Sequence, residues 1–236
     1  MSSLTRIRFA AILLAGALTS SACSSAPSSS SSTAPRHPTC GVEADIDEPC
    51  SADNPAACER SCNCNAFDDC GLLGLMYELG PTPSLTRRWE RDPSRAFELY
   101  ARACEGGSAG GCVNLGNAFE RGKIVTKSVE RARLAFSQAC DAAHSRGCMR
   151  MGLLELRLER QRGLAGLRRS CVLLDAEGCW VLAMTLLESG LPAEKVEART
   201  ALTTGCRSAS CASSNPFVLG RCTNFAAQAC AKLDEL

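Results

Sequence analysis

Histidine and lysine are both scarce in this chain. Histidine occurs only at His37 and His144, and lysine only at Lys123, Lys127, Lys195 and Lys232. These shortages exclude whole classes of chemistry. A serine hydrolase of the Ser-x-x-Lys type needs a serine three residues before a lysine, yet those positions hold Glu120, Ile124, Pro192 and Ala229. Ser-Asp-Asn and Lys-Thr-Gly are absent too. Two isolated histidines do not make the ligand cluster of a metal-dependent hydrolase. There is no Cys-x-x-Cys pair, no haem-attachment motif and no glycine-rich phosphate loop. With 26 basic against 25 acidic residues, no bulk field draws the chain to nucleic acid. The reading is of a chain with no catalytic constellation, no cofactor and no nucleic-acid partner.

A long hydrophobic run is also missing. Residues 9–18 are apolar behind Arg6 and Arg8, but the run is too short to span a membrane as a stable helix. It ends in Ser20, Ser21, Ala22 and Cys23, a small-residue cleavage site before a cysteine. This resembles a bacterial lipoprotein signal, in which Cys23 becomes the lipidated first residue. The usual leucine three residues before the cysteine is here Ser20, so the site also fits an ordinary secretory cleavage.

What is abundant is cysteine. Seventeen cysteines imply metal sites or an oxidising compartment. Cys62 and Cys64 form a compact pair, but the wider spacing favours disulfides over metal. Setting Cys23 aside leaves an even number able to pair completely. Most of the basic charge is arginine, which suits carboxylate or phosphate partners or simply a solvated helical surface.

In chain order, residues 1–22 are a signal peptide and residues 23–39, rich in Ser and Pro, a disordered tether. Residues 40–61 contain Cys40, Cys50 and Cys58 without visible periodicity and read as a disulfide-stapled N-terminal cap. Asp45, Asp47 and Glu48 lack the glycine-turned loop of a calcium site and read as a solvated acidic loop.

A period then emerges. Cysteines eight positions apart recur at Cys62/Cys70, Cys104/Cys112, Cys140/Cys148, Cys171/Cys179 and Cys222/Cys230. In the first four pairs, the fourth residue after the second cysteine is small: Gly74, Gly116, Gly152 and Ala183. Four residues before the first cysteine of the later units stand Tyr100, Phe136, Leu167 and Leu202, and eight before stand Ala96, Ala132, Gly163 and Ala198. Offsets of four and eight share one helix face. Asp92 before Pro93, and Pro192, mark helix starts; Gly80, Gly122 and Gly190 mark helix ends. Residues 62–206 are thus an array of helix–turn–helix repeats.

Eight residues on one continuous helix span roughly 12 Å, too far for a disulfide, whose Cα atoms lie within about 7 Å. The chain must reverse between the cysteines, and Gly106, Gly107, Gly110, Gly111, Gly147 and Gly178 ease that reversal. Each bridge ties the end of one repeat to the start of the next. The last pair differs. Val218, Cys222, Phe225, Cys230 and Leu233 lie on one helical face, so Cys222 and Cys230 are expected to bond Cys206 and Cys211, folding residues 207–236 back as a capping helix.

Tyr100, Ala101, Arg102, Ala103 and Cys104, followed by Gly111, Cys112, Val113, Asn114, Leu115, Gly116 and Gly122, resemble the Sel-one-like repeat, a relative of the tetratricopeptide repeat. The match is to its bacterial cysteine-rich branch and covers roughly residues 62–206, with Leu158 replacing the turn glycine in the third unit. The resemblance implies an all-α, right-handed solenoid whose concave groove binds proteins or peptides. Some cysteine-rich members carry a β-lactamase name. The leading expectation is therefore a lipid-anchored scaffold of the bacterial cell envelope, at the outer membrane, that binds a protein, peptide or cell-wall fragment. The alternatives are a weak penicillin-binding hydrolase, a structural component without a ligand, and a secreted or periplasmic location. Trp89, with Arg87 and Arg88 beside it, is the candidate interaction anchor; Trp180 reads as core and His144 as an exposed loop residue.

Overall fold

A computed structural model describes residues 49–51, 54–80, 89–208 and 216–236. The described residues all belong to one compact unit. Its described residues contain ten helices: α1 (Pro55–Asn63), α2 (Phe67–Leu79), α3 (Pro93–Glu105), α4 (Ala109–Arg121), α5 (Val129–Asp141), α6 (Ser145–Glu155), α7 (Arg160–Val172), α8 (Ala176–Leu187), α9 (Pro192–Cys206) and α10 (Pro216–Asp234). Apart from one isolated bridge between Ser51 and Asn54, no β-pairing occurs among them.

Helix starts follow local chemistry. Asp92, Ser108 and Ser128 each accept a hydrogen bond from a backbone N–H of the first turn, and Pro93 and Pro192 stand just inside their helices. Gly122 ends α4 in the left-handed region, at φ 65°. Residues 40–61, read as aperiodic, instead contain most of α1, which Asn54 caps and which runs past residue 61.

Each helix packs on its chain neighbours, and the helices fall into two rows. In the even row α2 also meets α4, α4 meets α6, α6 meets α8 and α8 meets α10. In the odd row α7 meets α9. The core lies between the rows. Tyr100, Phe136, Leu167 and Leu202 are fully buried there, as are Ala96, Ala132 and Ala198. Small residues opposite large ones set the approach: a Cβ at Gly74 would lie 2.7 Å from Tyr100 Cε1, and one at Gly116 2.5 Å from Phe136 Cε1. The architecture is an all-α solenoid of helical hairpins.

Disulfides hold the corners. Cys62–Cys70, Cys104–Cys112, Cys140–Cys148 and Cys171–Cys179 join α1 to α2, α3 to α4, α5 to α6 and α7 to α8, with Cα separations of 4.3–4.7 Å. Cys206–Cys230 ties α10 to α9. The expected bonding of Cys211 and Cys222 lies outside the described side chains. Cys50–Cys58, also eight apart, is a further bridge. Its spacing is visible in the sequence and was obscured by the absence of helical pattern around it. Cys64 is disulfide-bonded as well.

The corners reverse differently from the expectation built on glycine. The residue three after each first cysteine takes positive φ: Asn65 (68°), Gly107 (92°), Ala143 (56°) and Leu174 (60°). Only one of the four is glycine. Gly111 and Gly147 instead permit close approach, since a Cβ there would meet Ala103 Cβ at 2.4 Å and Ala139 Cβ at 2.5 Å.

Candidate functional site on the inner row

A stripe of half-buried and exposed positions on the even row recurs at fixed offsets from the second cysteine of each corner. It consists of Leu72 and Leu75 on α2, Asn114 and Asn117 on α4, Arg150 and Leu153 on α6, and Val181 and Met184 on α8, all half-buried or exposed. One turn earlier stand Asp68, Gly110, Arg146 and Glu177. Because these helices contact their even-row neighbours directly, the row forms the tighter side of the array, and the stripe forms a continuous face along it.

The face changes character along its length. Leu72, Leu75 and Leu79 make its α2 end apolar, with Leu79 67% exposed. Asn114, Asn117, Arg121, Arg146 and Arg150 make its centre polar and basic, and Val181 and Met184 return it to apolar. Two acids stand beside the central cations: Glu78 lies 3.7 Å from Arg121 and accepts a hydrogen bond of 2.7 Å from Tyr100 Oη, and Glu120 lies 3.8 Å from Arg150. Burial and this acceptor together push the Tyr100 hydroxyl pKa well above its usual range, keeping it a neutral donor.

Arginines elsewhere join repeats. Arg102 donates to Cys62 O and Asn63 Oδ1 at the end of α1, Arg95 bonds Glu59, and Arg168 grips Glu197 through two hydrogen bonds of 2.6 and 3.0 Å. The Glu197 pair raises the Arg168 pKa and lowers that of Glu197. Much of the arginine excess noted in the sequence thus has an internal use.

The sequence-derived candidates are distributed differently. Trp89 is half-buried beside Leu73 and Met76, and its Nε1 donates to Met76 O at 3.0 Å. Its ring therefore packs back onto α2. Arg87, Arg88, Cys23, His37 and Cys40 lie outside the described residues. Trp180 packs against the C-terminal core. His144 departs from its expected exposure: it is the half-buried N-cap residue of α6, with Nδ1 buried and without a hydrogen-bond partner. Burial first, then Arg146, lowers its pKa, opposed by Asp175 and Asp68. The inner stripe itself was not recognised from the sequence; its signal is the offset of two and five after the second cysteine.

An open depression of about 600 Å³ at the α4–α5 turn is lined by Phe97, Phe119, Ile124, Val125, Lys123 and Arg131. Phe97 meets Phe119 edge-on at 5.4 Å, and Arg131 lies over the Phe119 ring. No group of three His, Cys, Asp or Glu residues among the described residues is placed to hold a metal ion. None of the described helices is long and apolar enough to cross a membrane.

No family model matches the chain, and no curated protein matches it by sequence. Solved structures do match. A protective antigen present in uropathogenic Escherichia coli strains, displaying an SLR fold, aligns with a TM-score of 0.53 and 20% identity over 76% of this chain. A Sel1 repeat protein from Oxalobacter formigenes aligns with a TM-score of 0.51 and 20% identity over 77% of it. The chain spans 42% of the first structure's length and 66% of the second's. Arrangement, period and these likenesses agree: the chain has the SLR fold of Sel1 repeat proteins.

Proposed function

We propose that this chain is a binding scaffold of the bacterial cell envelope, tethered through a lipid on Cys23, whose inner row engages a protein, a peptide or a cell-wall fragment. The observation that carries this reading is the set of half-buried or exposed positions that recurs along α2, α4, α6 and α8 at fixed offsets from the corner cysteines. Disulfides at successive corners suit an oxidising compartment and brace the surface. They make the stripe a preformed platform, which lowers the ordering cost of binding. The short apolar run before Cys23 and the Ser/Pro-rich segment after it support a processed, tethered N-terminus.

The test is recovery of partners from envelope extract by the oxidised protein, compared with a Leu75→Glu/Met184→Glu double variant. A stoichiometric partner lost from the variant supports the scaffold reading. Equal recovery, or none, favours a structural component. Metabolic labelling with a radioactive fatty acid tests the tether separately, since the label should vanish in Cys23→Ser.

A further inference from the structure

One contact repeats along the odd row. It joins the residue three before a corner's first cysteine to the residue nine before the first cysteine of the next corner. Between α1 and α3 these are Glu59 and Arg95, which bond each other. Between α7 and α9 they are Arg168 and Glu197, joined by hydrogen bonds of 2.6 and 3.0 Å. The charges are reversed from one pair to the other, so the register selects opposite charges rather than particular residues. Between α5 and α7 the count gives Ser137 and Arg162, and Arg162 turns to Glu159, 2.9 Å away at the start of its own helix. Between α3 and α5 it gives Ala101 and Arg131. The acid is missing, and the Arg131 guanidinium makes no hydrogen bond or ion pair among the described residues.

A second repetition shows how Arg131 is held. Tyr77 and Phe119 both stand seven after a corner's second cysteine, and Arg95 and Arg131 lie over their rings at 4.5 and 5.5 Å. Each arginine thus sits on an aromatic face, but only Arg95 also has a carboxylate. Arg131 instead lines the depression of about 600 Å³ at the α4–α5 turn, a volume within the roughly 300–1,000 Å³ of small-molecule sites. Phe97, edge-on to Phe119, and Ile124 and Val125 give it apolar walls, and no acid lines it. Lys123 supplies a second cation without an ion pair among the described residues. Glu130, next to Arg131 in the chain, accepts instead from Ser128 Oγ at 3.5 Å. The turn is pinned where it closes, since Ser128 N–H donates to Phe119 O at 3.0 Å. Two exposed cations beside aromatic and aliphatic walls match a ligand with an anionic head and an apolar body. The carboxylate of Glu59 on Arg95 shows which head the register accepts.

We propose that this depression binds a small carboxylate with an apolar body, the carboxylate held by Arg131 and Lys123 and the body by Phe97, Phe119, Ile124 and Val125. No residue of the inner stripe takes part, so the proposal and the scaffold reading fail separately.

The experiment titrates the oxidised protein with octanoate, octanamide, acetate and octyl phosphate, following the ring resonances of Phe97 and Phe119 by NMR. Octanoate should shift both rings saturably. It should bind roughly ten- to a hundredfold more tightly than octanamide, which lacks the charge, or acetate, which lacks the chain. Ala101→Glu restores the acid that α1 offers to Arg95. It should weaken octanoate about tenfold by occupying Arg131, with a thermal melt no lower than the parent's. Arg131→Gln should bring octanoate down to the level of octanamide, and it decides the matter alone if Ala101→Glu lowers the melt. Equal binding of octanoate and octanamide, or tighter binding of octyl phosphate, overturns the carboxylate assignment. Absence of shifts at millimolar octanoate, or undiminished octanoate binding in Arg131→Gln, overturns the site.

Discussion

Phe136 sits against Gly116 so closely that a Cβ on the glycine would come within 2.5 Å of the ring's Cε1. Tyr100 stands in the same relation to Gly74, at 2.7 Å. Both rings are fully buried, so neither can swing into solvent to make room. Gly116→Ala should therefore destabilise the fold by about 1–3 kcal/mol, the range for overpacking a filled core. Phe136→Leu should recover part of that loss in the double variant, a coupling readable from denaturant midpoints. Gly107→Ala provides the contrast. Nothing lies within 4 Å of the added methyl there, and the cost comes from φ +92° alone, about 1 kcal/mol.

The corners carry strain where sequence gives no warning of it. Ala143 and Leu174 take positive φ at the position where the α3–α4 corner uses Gly107. Ala143→Gly and Leu174→Gly should each relieve the left-handed penalty and raise stability, by up to about 1 kcal/mol after the added chain entropy of glycine. Both residues are exposed at their corners, so little packing is lost. Thermal melts of the single variants check this.

Each corner bridge closes a short loop, and a nine-residue loop contributes roughly 2.6 kcal/mol in the chain-entropy model. Cys104→Ser/Cys112→Ser should cost about that much. In a quasi-linear array the loss should be local. Amide exchange should accelerate in α3, α4 and the adjoining turn while α8 and α9 keep their protection. Uniform acceleration across the chain would mean that the array unfolds as one unit.

Burial first, and the Arg146 charge second, hold the His144 imidazole below its usual pKa of 6.5. The unfolded chain then takes up a proton that the folded chain resists, so stability rises with pH below about 6.5 and levels off above it. Carboxylates such as Glu197 also lose their stabilising charge in acid, so the histidine's share is read by difference. Denaturant midpoints from about pH 5 to 8 should show a shallower acid slope in His144→Gln than in the parent. Identical slopes would remove His144 from the account.

The helical period was legible because the pattern repeats. Tyr100, Phe136, Leu167 and Leu202 stand at one offset from a cysteine, and all four are core. The cysteine spacing likewise located the corners. Other features follow from tertiary packing and leave little trace in local sequence. Ala143 and Leu174 adopt a backbone conformation their residue types disfavour because disulfides and flanking helices fix the path. Trp89 looked available among charged neighbours, yet its indole N–H finds Met76 O across a connection whose course the sequence does not state. The inner stripe was hidden for a different reason. Leu75, Asn117, Leu153 and Met184 share a position but not a chemistry, so no residue pattern announces it.

The most direct test of the central claim, a solenoid stapled corner by corner, is a disulfide map by peptide mass spectrometry of the protein under non-reducing conditions. The account predicts Cys50–Cys58, Cys62–Cys70, Cys104–Cys112, Cys140–Cys148, Cys171–Cys179 and Cys206–Cys230. Free thiols at the repeat corners, links between different corners, or a Cys222–Cys230 bridge would contradict it.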